Sequence, residues 1–321
     1  MSQNKLLAIG ECMLELSGQI QLGSQAKLNF GGDVLNTALY FARLNEDVSF
    51  LTALGDDNFS AQMISHWDAE NINTSEVLKI KDRVPGLYAI QTDNQGERSF
   101  YYWREQAPIK DIFYHLSKEN LDRYNKEYNY LYFSGISLSR WDDKQLEIFA
   151  NWLKDFRNSG DSKEIIFDLN YRPKCWKSKE QTKGYLEKVL KHVTIVLTTF
   201  DDEELLFDDI NYQQTLDRYN KFDIPIVIIK HGINPTVLQY QNTINLIKAT
   251  KIVTPIDTTA AGDSFNAAFL AAFSNNLNLQ ESIQFAQTFA AEVIQHQGAI
   301  IDKSHTDTYI NKLKELINAN R

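Results

Sequence analysis

From residue 129 onward the chain repeats one pattern, a run of five or six mostly apolar residues followed by a longer stretch of mixed polarity. The runs fall at 130–135, 163–168, 194–198 and 225–230, and residues 141–157 have the spacing of an amphipathic helix. Runs that are apolar nearly throughout suit strands covered on both faces. The rhythm implies an α/β fold, a mostly parallel sheet with helices on both sides. Earlier runs at 5–10 and 48–55, each ending in glycine, read as further strands. Residues 236–240 and 244–248 read as a hairpin beyond the sheet, and helices are expected near 279–296 and 306–319. No internal repeat, low-complexity run or flexible linker divides the sequence, so 1–321 is expected to form one unit.

In such sheets ligands gather outside the carboxyl ends of the strands. Three polar groups follow successive strands there: Asp168-Leu169-Asn170-Tyr171-Arg172, Asp201-Asp202-Glu203-Glu204 and Lys230-His231-Gly232. One alone would be ordinary loop polarity. Three in register mark a binding edge.

Composition narrows the ligand. The formal net charge of −9 argues against a nucleic-acid partner, which needs a basic face. An anionic substrate must therefore meet local cations rather than the overall field. No apolar run approaches membrane-spanning length, and the N-terminus lacks the pattern of a signal peptide. Two cysteines, Cys12 and Cys175, suit a reducing compartment, so a cytoplasmic location is expected. Neither G-x-G-x-x-G nor G-x-x-x-x-G-K-[ST] occurs, which excludes a dinucleotide fingerprint and a P-loop.

The stretch with the most chemistry is Asp257-Thr258-Thr259-Ala260-Ala261-Gly262-Asp263-Ser264. It precedes a helical stripe of Phe265, Phe269 and Phe273. A turn of small residues at a helix start lets unpartnered N–H groups converge on an anion. Asp263 is an odd neighbour for a phosphate unless it accepts a proton from an attacking hydroxyl. The plainer reading is that Asp263 or Ser264 caps the helix.

Phe30-Gly31-Gly32-Asp33-Val34-Leu35-Asn36 reads as a tight turn opening a helix, with Asp33 as a possible cap. Here Gly32 would admit a substrate close to the backbone while Asp33 and Asn36 bind its hydroxyls. The plainer reading leaves Asn36 solvated. Residues 86–92 and 98–104 read as a hairpin around Asp93-Asn94-Gln95-Gly96-Glu97. Alternation puts Tyr88 with Ile90, and Tyr102 with Arg104, which suits a lid over a polar ligand. Packing across the hairpin or against a second subunit is the other reading, so a homo-oligomer through the lid is expected.

Together the Gly31-Gly32-Asp33 turn with Asn36 and the 257–263 turn resemble the two signatures of the ribokinase-like (PfkB) sugar kinases, over about residues 5–302. More narrowly, the chain resembles the 2-keto-3-deoxygluconate kinase branch of that family. Gly10-Glu11-Cys12-Met13, Glu15-Leu16, 30–36, 100–104, 257–265 and Gly298-Ala299-Ile300-Ile301 carry that likeness. The resemblance implies a three-layer α/β core with a small β lid from about 12–33 and 84–106. It implies ATP and Mg²⁺ as cofactors and a small sugar acid as substrate. By position, Asp263 would be the base, and Ala260, Ala261 and Gly262 the anion hole. Gly32, Asp33, Asn36, Tyr88, Tyr102, Arg104, Asn170 and Arg172 would contact the sugar acid. Lys230, Gly232 and Gly262 would lie beside ATP, and Glu203 would be associated with magnesium.

Two positions depart from the family pattern. Ala260 stands where many relatives have glycine, which is tolerable if its φ is negative. Phe200 stands where an asparagine is favoured, three residues before Glu203. The alternatives are a neutral-sugar kinase acting on fructose, which needs no carboxylate clamp, and a non-catalytic sugar-binding protein, for which Asp263 has no use.

Overall fold

The apolar runs pair edge to edge into a nine-stranded sheet in the computed structural model, which describes residues 4–18, 20, 23, 25–92, 98–241 and 243–320. In chain order the strands are β1 (Leu6–Ile9), β2 (Met13–Ser17), β3 (Lys27–Gly31), β4 (Val48–Gly55), β5 (Val77–Ile80), β6 (Leu87–Thr92), β7 (Arg98–Trp103), β8 (Tyr130–Ser134), β9 (Glu164–Asp168), β10 (Ile195–Thr199), β11 (Ile226–Lys230), β12 (Thr236–Tyr240) and β13 (Thr243–Ile247). The large sheet runs β13-β12-β11-β10-β9-β8-β1-β4-β5 and is parallel from β11 to β5.

Period-two alternation divides the core. Leu6 and Ala8 of β1 face one apolar cluster, with the helices Asp33–Arg43, Ala261–Ser274 and Leu279–Val293; Leu7 and Ile9 face another, with Asp143–Asn158 and Lys179–Val189. Both faces are thus covered, as near-continuous apolar strands require. Phe269 is fully buried and stacks on Phe273, which accounts for the phenylalanine stripe.

Three expectations change. The hairpin β12–β13 is not beyond the sheet but forms its antiparallel edge, β12 pairing with β11. Short β5, too weak a pattern to stand out, closes the opposite edge. Gly135 leaves β8 to open a one-turn helix, and it is glycine because a Cβ there would strike the Leu169 carbonyl.

A second sheet of four strands, β3-β2-β6-β7, stands apart. Its hairpin β6–β7 pairs Tyr88 with Tyr102 and Ile90 with Phe100; the expected turn, 93–97, lies outside the described residues.

Candidate active site

Helix capping shows where the molecule leaves polar groups open. The helices Asn58–Ala69, Lys118–Glu127, Asp143–Asn158, Lys179–Val189, Phe200–Phe207, Tyr212–Asn220 and Leu279–Val293 each begin with a side chain accepting from their first N–H groups. Asp307–Ala319, near the end of the chain, does not, and neither do two others of ten residues or more: Asp33–Arg43, preceded by Gly32, and Ala261–Ser274, preceded by Ala260. The latter two start at the carboxyl ends of the strands. Asp33 and Asp263 are therefore not caps, contrary to the plainer reading of each. They stand at the first and third helical positions, beside N–H groups that have no intrahelical acceptor.

The N–H of Ala261 donates to Thr258 O at 3.2 Å, so the groups that this start offers to an anion are those of Gly262 and Asp263. Ala260 adopts φ 59°, ψ 17°, in the left-handed region, where the expectation was a negative φ. The turn before Ala261 imposes that conformation, at a cost of about 1–2 kcal/mol for a residue with a Cβ.

Asp263 is buried, and Asn36 Nδ2 donates to its Oδ2 at 2.8 Å. Asn36 is buried too, so its solvated reading fails. Burial, reinforced by the Asp33 carboxylate, pushes the Asp263 carboxyl up to about 8; Asp168 adds to the rise, while Asn36 and Lys230 oppose it. Asp168 at the end of β9 is pushed up to about 6, by burial first and with Lys230 opposing. Asn170 Nδ2 donates to Asp33 Oδ2 at 2.8 Å. Five of the expected residues thus meet: Asp33, Asn36, Asn170, Lys230 and Asp263.

Behind them lies a hub that the sequence reading missed. Asn266, fully buried, donates to Asp168 Oδ2 at 2.9 Å and to Tyr132 OH at 3.1 Å, and accepts from Lys230 Nζ at 2.9 Å. Thr37 Oγ1 lies 3.2 Å from Tyr132 OH and 3.3 Å from Asp263 O. The available signal was an asparagine in an otherwise apolar helix, three residues after Asp263 and so on its face. Lys230 Nζ also reaches the anion turn, since a Cβ on Gly262 would stand 3.5 Å from it. Gly232 has φ +53° and open space around its α-carbon.

The glycine at position 32 has a reason beyond substrate approach: a Cβ there would strike the Glu11 carbonyl. Arg104 and Arg172 are both paired with acids of the chain. Buried Arg104 holds Glu11 Oε2 at 2.5 Å; half-exposed Arg172 holds Asp202 Oδ1 at 2.9 Å. The Tyr88 hydroxyl is spent on Glu15, while Tyr102 stays partly exposed, 5.8 Å from the Arg104 guanidinium.

Glu203 does not fit direct metal coordination. It is fully buried; Oε1 accepts from Thr198 (2.8 Å) and Tyr219 (2.6 Å), and Oε2 from Arg218 (2.8 Å). A cavity of about 400 Å³ bordered by Glu15, Phe30, His66 and Ala299 does not include Asp263, so it is not the centre of this chemistry.

The chain matches the family model described as pfkB family carbohydrate kinase over residues 3–306. It is 39% identical over 316 residues to the 2-dehydro-3-deoxygluconokinase of Haemophilus influenzae, covering 96% of this chain and 99% of that one. It is 37% identical over 310 residues to the enzyme of that name from Escherichia coli K12, covering 93% and 97%. Among solved structures, the fructokinase with bound ATP from Xylella fastidiosa superposes with a TM-score of 0.81 at 20% identity, covering 97% and 99%.

Proposed function

The chain belongs to the pfkB family of carbohydrate kinases, and from that premise we propose that it phosphorylates the terminal hydroxyl of 2-keto-3-deoxygluconate with ATP. The observation that carries the chemistry is the buried Asp263 carboxylate, held by Asn36 at the start of an uncapped helix.

In this mechanism Asp263 accepts the hydroxyl proton as the sugar oxygen attacks the γ-phosphorus. A raised pKa suits that task, because proton transfer is most effective near the operating pH. The N–H groups of Gly262 and Asp263, with Lys230, face the transferring phosphoryl and hold the charge it develops. Asn36 fixes the base, and Asn170 fixes Asp33 toward the sugar hydroxyls. ATP is accommodated along Gly232 and Gly262, where no Cβ obstructs it. Magnesium would accompany ATP, but Glu203, committed to Thr198, Tyr219 and Arg218, would not bind it directly.

The sugar-acid carboxylate is met by Arg172, whose half-exposed guanidinium can turn a second N–H pair outward. Tyr88, Tyr102 and Arg104 line the lid side, with the four-stranded sheet as the lid. Phe100, Tyr101 and Trp103 lie exposed on its edge strand β7, which supports a homo-oligomer joined there. Two free cysteines support a cytoplasmic location, and among the described residues no helix is long and apolar enough to cross a membrane.

ADP release from Mg-ATP with equimolar 2-keto-3-deoxygluconate, 2-keto-3-deoxygalactonate, fructose and ribose tests the reading. Turnover of the keto acids is expected. A preference for fructose would keep the kinase and discard the arginine's role; silence with every sugar would favour a binding protein.

A further inference from the structure

Three metal-ligating side chains meet away from the catalytic edge. Glu292 lies in the last turn of the Leu279–Val293 helix, His296 follows one turn later, and His305 ends the 3-10 helix Lys303–His305. One donor atom from each lies within 4.8 Å of the other two. His296 Nε2 is 3.2 Å from Glu292 Oε1, and the two imidazoles stack with centroids 3.8 Å apart. Glu292 and His296 form an i,i+4 pair, to which His305 is added from the following 3-10 helix. Glu292 and His296 are partly buried and so restrained, while His305 is exposed and leaves an entry path.

Two histidines and a glutamate form a donor set that zinc accepts with its fourth position open. Bonds of about 2.0–2.2 Å would bring the donors to roughly 3.4 Å apart. Reaching that spacing requires the exposed His305 ring to turn out of its stack on His296. The ligands also bracket a segment that matters. Within it, Ile294 O accepts from Ile256 N (2.8 Å) and Asp257 N (3.2 Å), and Gly298 N donates to Asp257 Oδ2 at 3.0 Å. Asp257 in turn accepts from the Thr259 N–H and hydroxyl, just ahead of the anion turn.

We propose that Glu292, His296 and His305 bind a divalent transition-metal ion of the zinc class, stapling the two ends of the segment that backs the anion turn. The test is calorimetric titration of the metal-free, untagged full chain with Zn²⁺ near neutral pH, alongside thermal unfolding. One equivalent binds the wild type and raises its Tm. His296→Ala and His305→Ala each weaken binding about tenfold or more and lose the Tm gain. His115→Ala, at an exposed histidine elsewhere, behaves as wild type. With Co²⁺ instead, visible d–d bands arise in the wild type and vanish in both site variants. Equal zinc affinity in wild type and site variants overturns the proposal, as does a wild type with no saturable zinc binding.

Discussion

The two sheets of this molecule obey opposite rules. Every residue of β1 and β4 is buried, and helices cover both faces of the sheet they belong to. In the four-stranded sheet, β7 is an unpaired edge on which Trp103 is 60% and Tyr101 49% exposed. The large sheet has completed its burial within the chain, so what projects from its ends can be held rigidly. Asp263, Asn36, Asn266 and Lys230 are fixed there by bonds of 2.8–3.1 Å. The small sheet has apolar surface left over on its edge strand. The proposed chemistry thus falls on the finished element and the proposed closure on the unfinished one.

The largest expected effect lies on the rigid side. Asp263→Asn should lower kcat by about 10²–10⁴-fold, the usual worth of a general base. It should also stabilise the ligand-free protein at alkaline pH. The folded pKa of Asp263 is raised, to about 8. Stability tied to its proton is therefore complete below the unfolded pKa near 4 and is lost as pH rises through about 8. The loss is on the order of several kcal/mol. Urea unfolding between pH 5 and 9 should show wild type falling relative to the variant. Parallel curves would mean that the carboxyl is not held as a buried acid.

Next come the two arginines, one on each side of the comparison. Arg172→Ala should raise KM for the keto acid about tenfold or more with little change for ATP, as lost charge-assisted hydrogen bonds to the carboxylate imply. Arg104→Ala should instead destabilise the fold by roughly 3–5 kcal/mol, because it leaves buried Glu11 only the more distant Arg140, 3.9 Å away. Equal KM effects on both substrates in Arg172→Ala would remove that residue from substrate recognition.

On the four-stranded sheet, Trp103→Asp should lower the mass seen by sedimentation while leaving kcat within about threefold, since an exposed aromatic on the proposed interface would anchor the assembly rather than the chemistry. An unchanged mass would assign the β7 edge to the ligand alone. The smallest effect belongs to Ala260→Gly. Relief of the left-handed strain, less the added freedom of the unfolded chain, should yield a net gain of about 0.5–1 kcal/mol. A loss would show that the Ala260 methyl packs well enough to outweigh its φ.

Much of the large sheet was legible because burial on both faces writes itself as apolar runs. Val48–Gly55 is a strand from end to end, and the ends of β8 to β11 fall within one or two residues of the runs. The turns at Gly31-Gly32 and Ala260–Asp263 stood out because small residues before a helix have few other uses. The hub was not legible. Asn36 meets Asp263 across 227 positions of sequence, and Asn266 meets Tyr132 across 134. No local pattern encodes such a pairing. Edge and interior strands likewise look alike in sequence, which is why β12–β13 was expected outside the sheet it joins.

By itself, then, the sequence determined the layered α/β plan, the tight turn at Ala260–Asp263 and the chemical types gathered at the strand ends, because periodicity and turn chemistry are local. Only the tertiary structure decided that Ala260 is left-handed, that Arg104 belongs to Glu11 and Arg172 to Asp202, and that Asp263 stands buried beside Asp33 and Asp168. Those outcomes depend on which distant groups share a desolvated space. Burial and like charge set a carboxyl's pKa, and neither exists until the strands and helices have packed.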